Sequence, residues 1–563
     1  MATYDLVLRG GTIVDGTGAP GYRGDLALAD GRVAAVGKVD GEGRRTIDAG
    51  GLVVSPGFVD IHSHYDAQAV WDPLLSSSAE HGVTTVVTGN CGIGVAPCRP
   101  ADRDITMQDL VSLEGIEFDT LQAGLDWAWE SFPDFIRRLD RRGTGVNIAP
   151  LVPLATLRRY VMGEAAIERG ATAEEAAAAA GLLRQAMEAG AHGFSTTTVM
   201  RQKGYRGNPL ACQLASREEL AAYARVLRDL GRGVIQGNVT DQLSSLSDDE
   251  YDLLDMLQTE SGGRPVSWSG AMHRADRPNA VYEMLEKAAP LLARGGRPQT
   301  TCRSLTAEMD LKNPFVFTDC ESAKCIRDID KAEQIRIYSD PSFRAAVKAE
   351  LDSGRKTFSA SWRDFIVQHV HTPSLERYLR RTVREIAAER GKDEFDTLID
   401  LALEDDLELR YVGGLRNTDK AALKTHIDDP RVLLGMADGG AHFDMLFECS
   451  YATYLLGFWV REQKAMPLER AIHRMTAEPA QFFDLPDRGR LAPGLRGDVT
   501  VFDPATVGAP EKADEVRHDL PGGGMRLYAK ARGIAHVIVN GEVVMDNGRH
   551  TGALPGRTGV QAA

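Results

Sequence analysis

The chain has 563 residues, of which 43% are hydrophobic and 26% charged, and it carries a formal net charge of −15. That length exceeds what one simple core needs, so a large catalytic domain with a smaller companion is expected. The acidic balance, without any run of five basic residues, excludes a nucleic-acid surface, and no apolar stretch of about 18 residues or export signal points to a membrane.

Residues 4–55 read as short strands separated by Gly and Asp turns: Tyr4–Arg9, Thr12–Asp15, Asp25–Leu28 and Arg32–Val36. The far end has the same texture, in Asp498–Asp503 and His536–Val544. Strands at both termini predict one small β-sandwich domain built from 1–56 plus 490–563. Cysteines at 91, 98, 212, 302, 320, 325 and 449 make an odd set without scaffold spacing, which fits a reducing, cytoplasmic setting.

After Val53-Val54-Ser55 the chain turns at Pro56-Gly57, restarts as Phe58-Val59-Asp60-Ile61 and delivers His62 and His64. On a strand, residues i and i+2 point to one side. Two neutral imidazoles placed so converge on a borderline-soft divalent metal such as zinc. An isolated H-x-H is more often an ordinary pair of surface or core histidines, so its company decides the reading.

The middle alternates apolar strand-like runs with helical stretches such as Ala173–Ala189, which opens with a Thr172/Glu175 capping box, and Arg217–Leu230. Eight strand candidates follow one another: 57–62, 84–88, 146–152, 193–197, 233–237, 265–269, 297–301 and 432–437. Eight βα units over 57–489 predict an α/β fold, a TIM-like (β/α)8 barrel, whose chemistry sits at the C-terminal ends of the strands. His62 and His64 end the first candidate, Cys91 follows the second and Asp438 follows the eighth. Residues 99–143 and 302–370 read as insertions over the barrel mouth, either as lids and substrate walls or as packing and oligomer elements.

The chain resembles the amidohydrolase superfamily over nearly its whole length, and within it the N-acyl-D-amino-acid deacylase (D-aminoacylase) branch. The segments that carry this are Gly10–Gly16, the H-x-H run, His81–Thr85 leading to Gly89-Asn90-Cys91-Gly92, and Gly193–Thr196. Asp438-Gly439-Gly440-Ala441-His442, Met475-Thr476, Asp487–Leu491 and Val539-Asn540-Gly541 complete them. The resemblance implies that His62, His64 and Cys91 bind zinc, the thiolate standing where other branches use a carboxylated lysine. It implies that Asp438 touches the metal and acts as general base.

The sequence departs from the branch at three places. Asn238 and Gly270 stand where the resemblance places histidines on the fifth and sixth strands, and Leu154 stands where it places one after the third. His273, three residues beyond Gly270, is the candidate replacement, and Asn238 offers a hydrogen bond to substrate. The run Gly439–Val460 has no Lys or Arg to grip a substrate carboxylate, so Arg303 or Arg201 would have to reach in from another loop. His442 reads either as a substrate contact and second proton carrier or as a cap.

These readings predict a metal-dependent amidohydrolase that cleaves an amide or cyclic amide of a small molecule, with one zinc per chain and a second left open. A binding module built on the same barrel and a metal-dependent lyase or isomerase are the alternatives. The expected partner is a small-molecule substrate, with no nucleic acid and no membrane, and a homo-oligomer is left open.

Overall fold

A computed structural model describes residues 2–317, 320–326, 329–354, 356, 358 and 361–559. Parts of the expected 302–370 insertion and both extreme termini therefore lie outside the described residues.

Eight parallel strand positions carry the centre: β1 (Phe58–Asp60 with His62–Ser63), β2 (Val83–Thr88), β3 (Asn147–Pro150 with Val152–Pro153) and β4 (Gly193–Thr197). β5 (Val234–Asn238), β6 (Val266–Ser269), β7 (Gly296–Thr300) and β8 (Leu433–Leu434 with Met436–Gly439) follow. Each lies within about a residue or two of its predicted range. Every neighbouring pair is joined in parallel, from β1–β2 through β7–β8. Met436 pairs with His62 and Gly439 with Ser63, which brings the end of β8 against the end of β1. Single residues, Ile61, Leu151 and Gly435, interrupt β1, β3 and β8.

The strands are buried on both faces, as in Val83-Thr84-Thr85-Val86-Val87-Thr88, because helices cover the outside. Those helices start where their sequences say. Thr172 accepts from the backbone N–H of Glu175 to open Ala173–Glu188, and Ser216 caps Arg217–Leu230 through the N–H of Glu219.

The two ends of the chain share one nine-stranded sheet, joined where Val53–Pro56 runs antiparallel to Val499–Phe502. The expectation is a small β-sandwich formed from both termini; the strands of the two ends hydrogen-bond into one connected sheet. An apolar cluster that includes Leu8, Leu28, Val54, Val501 and Ile538 gathers residues from both ends. The predicted pair Tyr4–Arg9 and Thr12–Asp15 is one strand, Ala2–Ile13, with an irregularity between Leu8 and Gly11.

The first insertion is helical: Arg103–Glu114, Phe118–Gly124 and Phe132–Arg142 pack into the main core through Met107, Leu110, Phe132 and Phe135. The second has its own core, including Ala307, Phe317, Trp362, Phe395 and Tyr411. Its antiparallel sheet places Arg410–Arg416 between Leu305–Met309 and Ile366–His369. The unit therefore runs well past residue 370, because its central strand comes last in sequence. Among the described residues no helix is long and apolar enough to cross a membrane.

Candidate metal centre

His62 opens the last segment of β1, His62–Ser63, and His64 follows directly after it, with ring centroids 5.4 Å apart. Cys91 sits in the Gly89–Gly92 turn after β2 with φ 57°, a left-handed conformation. The turn is forced tight. A Cβ on Gly89, itself at φ +78°, would meet the carbonyl oxygen of Leu151 at 2.3 Å. Asn90 donates to the carbonyls of Ser63 (3.0 Å) and Val87 (2.9 Å), tying the ends of β1 and β2 together.

Asp438 is the penultimate residue of β8, at φ 45°, and the two glycines after it let the chain press against His64. A Cβ on Gly440 would meet the His64 carbonyl carbon at 2.7 Å, and Gly439 accepts from the N–H of His64 at 2.6 Å. The metal-ligating atoms of His62, His64 and Cys91 all lie within 4.8 Å of one another. Cys91 Sγ is 3.3 Å from His62 Nε2, and Asp438 Oδ1 is 3.3 Å from the same nitrogen and 3.8 Å from His64 Nε2.

The electrostatics suit a cation. Burial pulls the His62 pKa down to about 4, against the pull of the Asp438 charge, and lowers His64 likewise. Both are then neutral near pH 7, the form that donates a lone pair. Burial, followed by the charges of Glu114 and Asp438, pushes the Cys91 thiol well up, so the thiolate needs a positive neighbour. Two imidazoles and a thiol around one point, with a carboxylate beside the imidazoles, match the donor set of zinc.

The surrounding wall is amide and hydroxyl. Gln299 Oε1 meets His62 Nδ1 at 2.5 Å, and Gln299 itself donates to Ser267 Oγ at 2.8 Å. Gln236 accepts from the Cys91 N–H at 2.7 Å and donates to Ser269 Oγ. Asn238, two residues on and facing the same side, bonds Gln202, and its buried Oδ1 has no partner among the described residues. At Gly270, φ is +112° and a Cβ would meet the Leu243 side chain at 2.5 Å.

The other candidates lie elsewhere. The His273 ring faces His426, at 6.3 Å between centroids, and its backbone N–H is held by Asn417, so it does not join the three donors. Arg303 is buried in an ion pair with Glu448 (3.1 Å), donates to Ser450 and the carbonyls of Pro510 and Glu511, and lies over Tyr454. It is committed to holding the loop after β8. Arg201 is half-exposed beside Asp241. His442, at φ 50°, sets its Nε2 3.8 Å from Glu114 Oε2.

Sequence reasoning missed Glu114, Gln299 and Gln236. For the two glutamines a signal existed, a long polar side chain near the C-terminal end of a strand otherwise read as buried. Glu114 had none, being one acid among many in an insertion.

These donors gather at the C-terminal ends of parallel strands, where the chemistry of such a fold sits. The chain belongs to the amidohydrolase family, whose model matches residues 45–545, and it falls in the D-aminoacylase-like branch. It is 29% identical to the D-aminoacylase of Alcaligenes xylosoxydans xylosoxydans over 564 residues, covering 100% of this chain and 98% of that one. A solved D-aminoacylase described as having a binuclear metal centre, with one-metal activation and second-metal attenuation, superposes with a TM-score of 0.65 at 26% identity, covering 99% of each chain. The N-acyl-D-glutamate deacylase of Bordetella bronchiseptica, solved with zinc and a phosphonate inhibitor, gives 0.64 at 26% identity over 100% of both chains.

Proposed function

We propose that the protein hydrolyses an amide or cyclic amide bond of a small neutral molecule at a single-zinc centre formed by His62, His64 and Cys91, with Asp438 as general base. The observation that carries this is the convergence of those three donors within 4.8 Å, with the Asp438 carboxylate against them. When bound, zinc lowers the pKa of water and polarises a carbonyl. Asp438, the most open of the four groups with 19% of its side chain exposed, takes a proton at its carboxylate and returns it to the leaving nitrogen.

One metal is favoured by the wall opposite Cys91. Gln236, Asn238 and Ser269 present amides and a hydroxyl, which are poor zinc donors beside imidazole. A neutral substrate is favoured by the surroundings of His442. It borders a cleft of about 460 Å³, the size of a small-molecule site, walled by Val111, Leu113, Ile116, Pro314 and Met445 together with the carboxylates of Glu117 and Asp444, which disfavour an anionic substrate. The cleft's lysine, Lys312, is paired with Glu408 at 2.6 Å. Asn238, whose Oδ1 has no partner among the described residues, is placed to accept from a substrate N–H.

The test is metal content by elemental mass spectrometry on native protein and Cys91→Ala, followed by turnover of neutral N-acyl amides, cyclic amides and N-acyl-D-amino acids. One zinc per native chain, reduced in the variant, with neutral amides turned over fastest, is the expected result. Protein that takes up no metal from a zinc-supplemented medium overturns the reading and returns the binding module. Faster turnover of free N-acyl-D-amino acids overturns the substrate assignment alone.

A further inference from the structure

Glu114 is the last residue of the insertion helix Arg103–Glu114, and Gly115 ends that helix at φ +62°. Thr106, Leu110 and Glu114 are buried at i, i+4 and i+8, so the carboxylate belongs to the helix's core-facing stripe. Its side chain is only 5% exposed. A carboxylate there is doubly disfavoured, by the negative end of the helix dipole and by burial. Its neighbours are two imidazoles. Oε1 lies 3.5 Å from His64 Nδ1, and Oε2 lies 3.8 Å from His442 Nε2.

His64 supplies the complementary observation. Its Nδ1 is buried and has no hydrogen-bond partner in the described structure, yet it faces this carboxylate, while its Nε2 faces Asp438. The backbone closes the same contact from below. The carbonyl of Glu114 accepts from the N–H of His442 at 2.5 Å, which pins the insertion helix to the turn that carries Asp438.

We infer that Glu114 is a positioning residue for the metal centre, contributed by the insertion. It draws the N–H of His64 to Nδ1, leaves the Nε2 lone pair directed at the metal, and contributes a negative charge that a divalent cation compensates. Gln299 does the corresponding work for His62 without a charge. Carboxylates behind ligating histidines fix the ring's tautomer and raise its basicity, and losing one weakens metal binding by about 10- to 100-fold. A carboxylate buried this deeply is poorly compensated until a cation arrives.

The inference rests on the single-zinc reading, and the experiment separates the two. Zinc affinity is measured by competition with a chromophoric chelator for the native chain, Glu114→Gln, Glu114→Ala and Cys91→Ala. Thermal midpoints are taken with and without zinc, together with the visible spectrum of the cobalt-loaded proteins. Expected are zinc affinities weakened by about 10- to 100-fold in both Glu114 variants and a changed cobalt spectrum. Metal-free Glu114→Gln should melt at or above the native temperature, because a buried charge is gone, while gaining less from zinc. A purely packing role would lower both midpoints alike. Native-like zinc affinity in Glu114→Gln, with zinc lost in Cys91→Ala, overturns the role of Glu114 and leaves the metal reading standing. A native chain that binds no zinc overturns both.

Discussion

Gln299 and His62 meet at 2.5 Å, Oε1 against Nδ1. Gln299 is oriented in turn by donating to Ser267 Oγ, so a three-residue chain from β6 and β7 sets the tilt of an imidazole on β1. An amide oxygen accepts from Nδ1–H and thereby selects the tautomer whose Nε2 is free to coordinate.

Replacing Gln299 with Leu is therefore expected to weaken zinc binding by about 10- to 100-fold with little change in fold. Chelator competition together with far-ultraviolet circular dichroism reads both quantities. Unchanged affinity would mean that packing alone orients the ring.

Asp438 is assigned the proton transfer, and its partners are the metal ligands themselves, His62 and His64. Asp438→Asn keeps the shape and removes the base, so turnover should fall by about 10²- to 10⁴-fold while zinc content stays near the native value. Stripping zinc from the native chain should abolish turnover, and adding it back should restore it. Comparable turnover by Asp438→Asn and native protein would sink the assignment.

Much of this was legible in the chain. The strands show because β-branched runs such as Val83–Thr88 are buried on both faces and bounded by turns, and His62, His64, Cys91 and Asp438 show because each ends or follows a strand. What stayed hidden depends on distances across sequence. Glu114 reaches His64 from 50 positions away through an insertion whose internal pattern says nothing about where it docks. Arg303 read as a spare cation because its partner Glu448 lies in a different segment, and the extent of the second insertion was missed because Arg410–Arg416 completes a sheet begun at Leu305.

The Arg303–Glu448 pair follows as a stability element. Burial pushes the Glu448 pKa up to about 7, opposed by the Arg303 charge. Glu448→Leu would leave a buried guanidinium without its counter-charge, a loss of about 3–5 kcal/mol. The double variant Arg303→Leu/Glu448→Leu should recover a large part of that loss, since replacing both partners removes the uncompensated charge. Urea unfolding of the three proteins measures this. A double variant less stable than Glu448→Leu would contradict it.

His81 gives a pH dependence with a definite sign. Its ring is fully buried, with Nδ1 2.6 Å from Thr453 Oγ1 and Nε2 3.1 Å from the carbonyl of Ala529, and burial lowers its pKa from 6.5 to about 4. Nε2–H donates to the carbonyl and Nδ1 accepts from the hydroxyl, so protonation would turn an acceptor into a donor facing Thr453. Unfolded, the imidazole binds a proton near pH 6.5; folded, it does so only near 4. Between those values the unfolded state holds more protons, so stability rises with pH and is lost as pH falls from 6.5 towards 4. The shift corresponds to about 3 kcal/mol at most. In metal-free protein, His81→Gln should flatten the stability curve across that window by up to about one proton. Urea unfolding at half-unit pH steps gives the slope. Parallel curves for native and variant would assign the acid sensitivity to other groups, with His62 and its similarly lowered pKa the next to test.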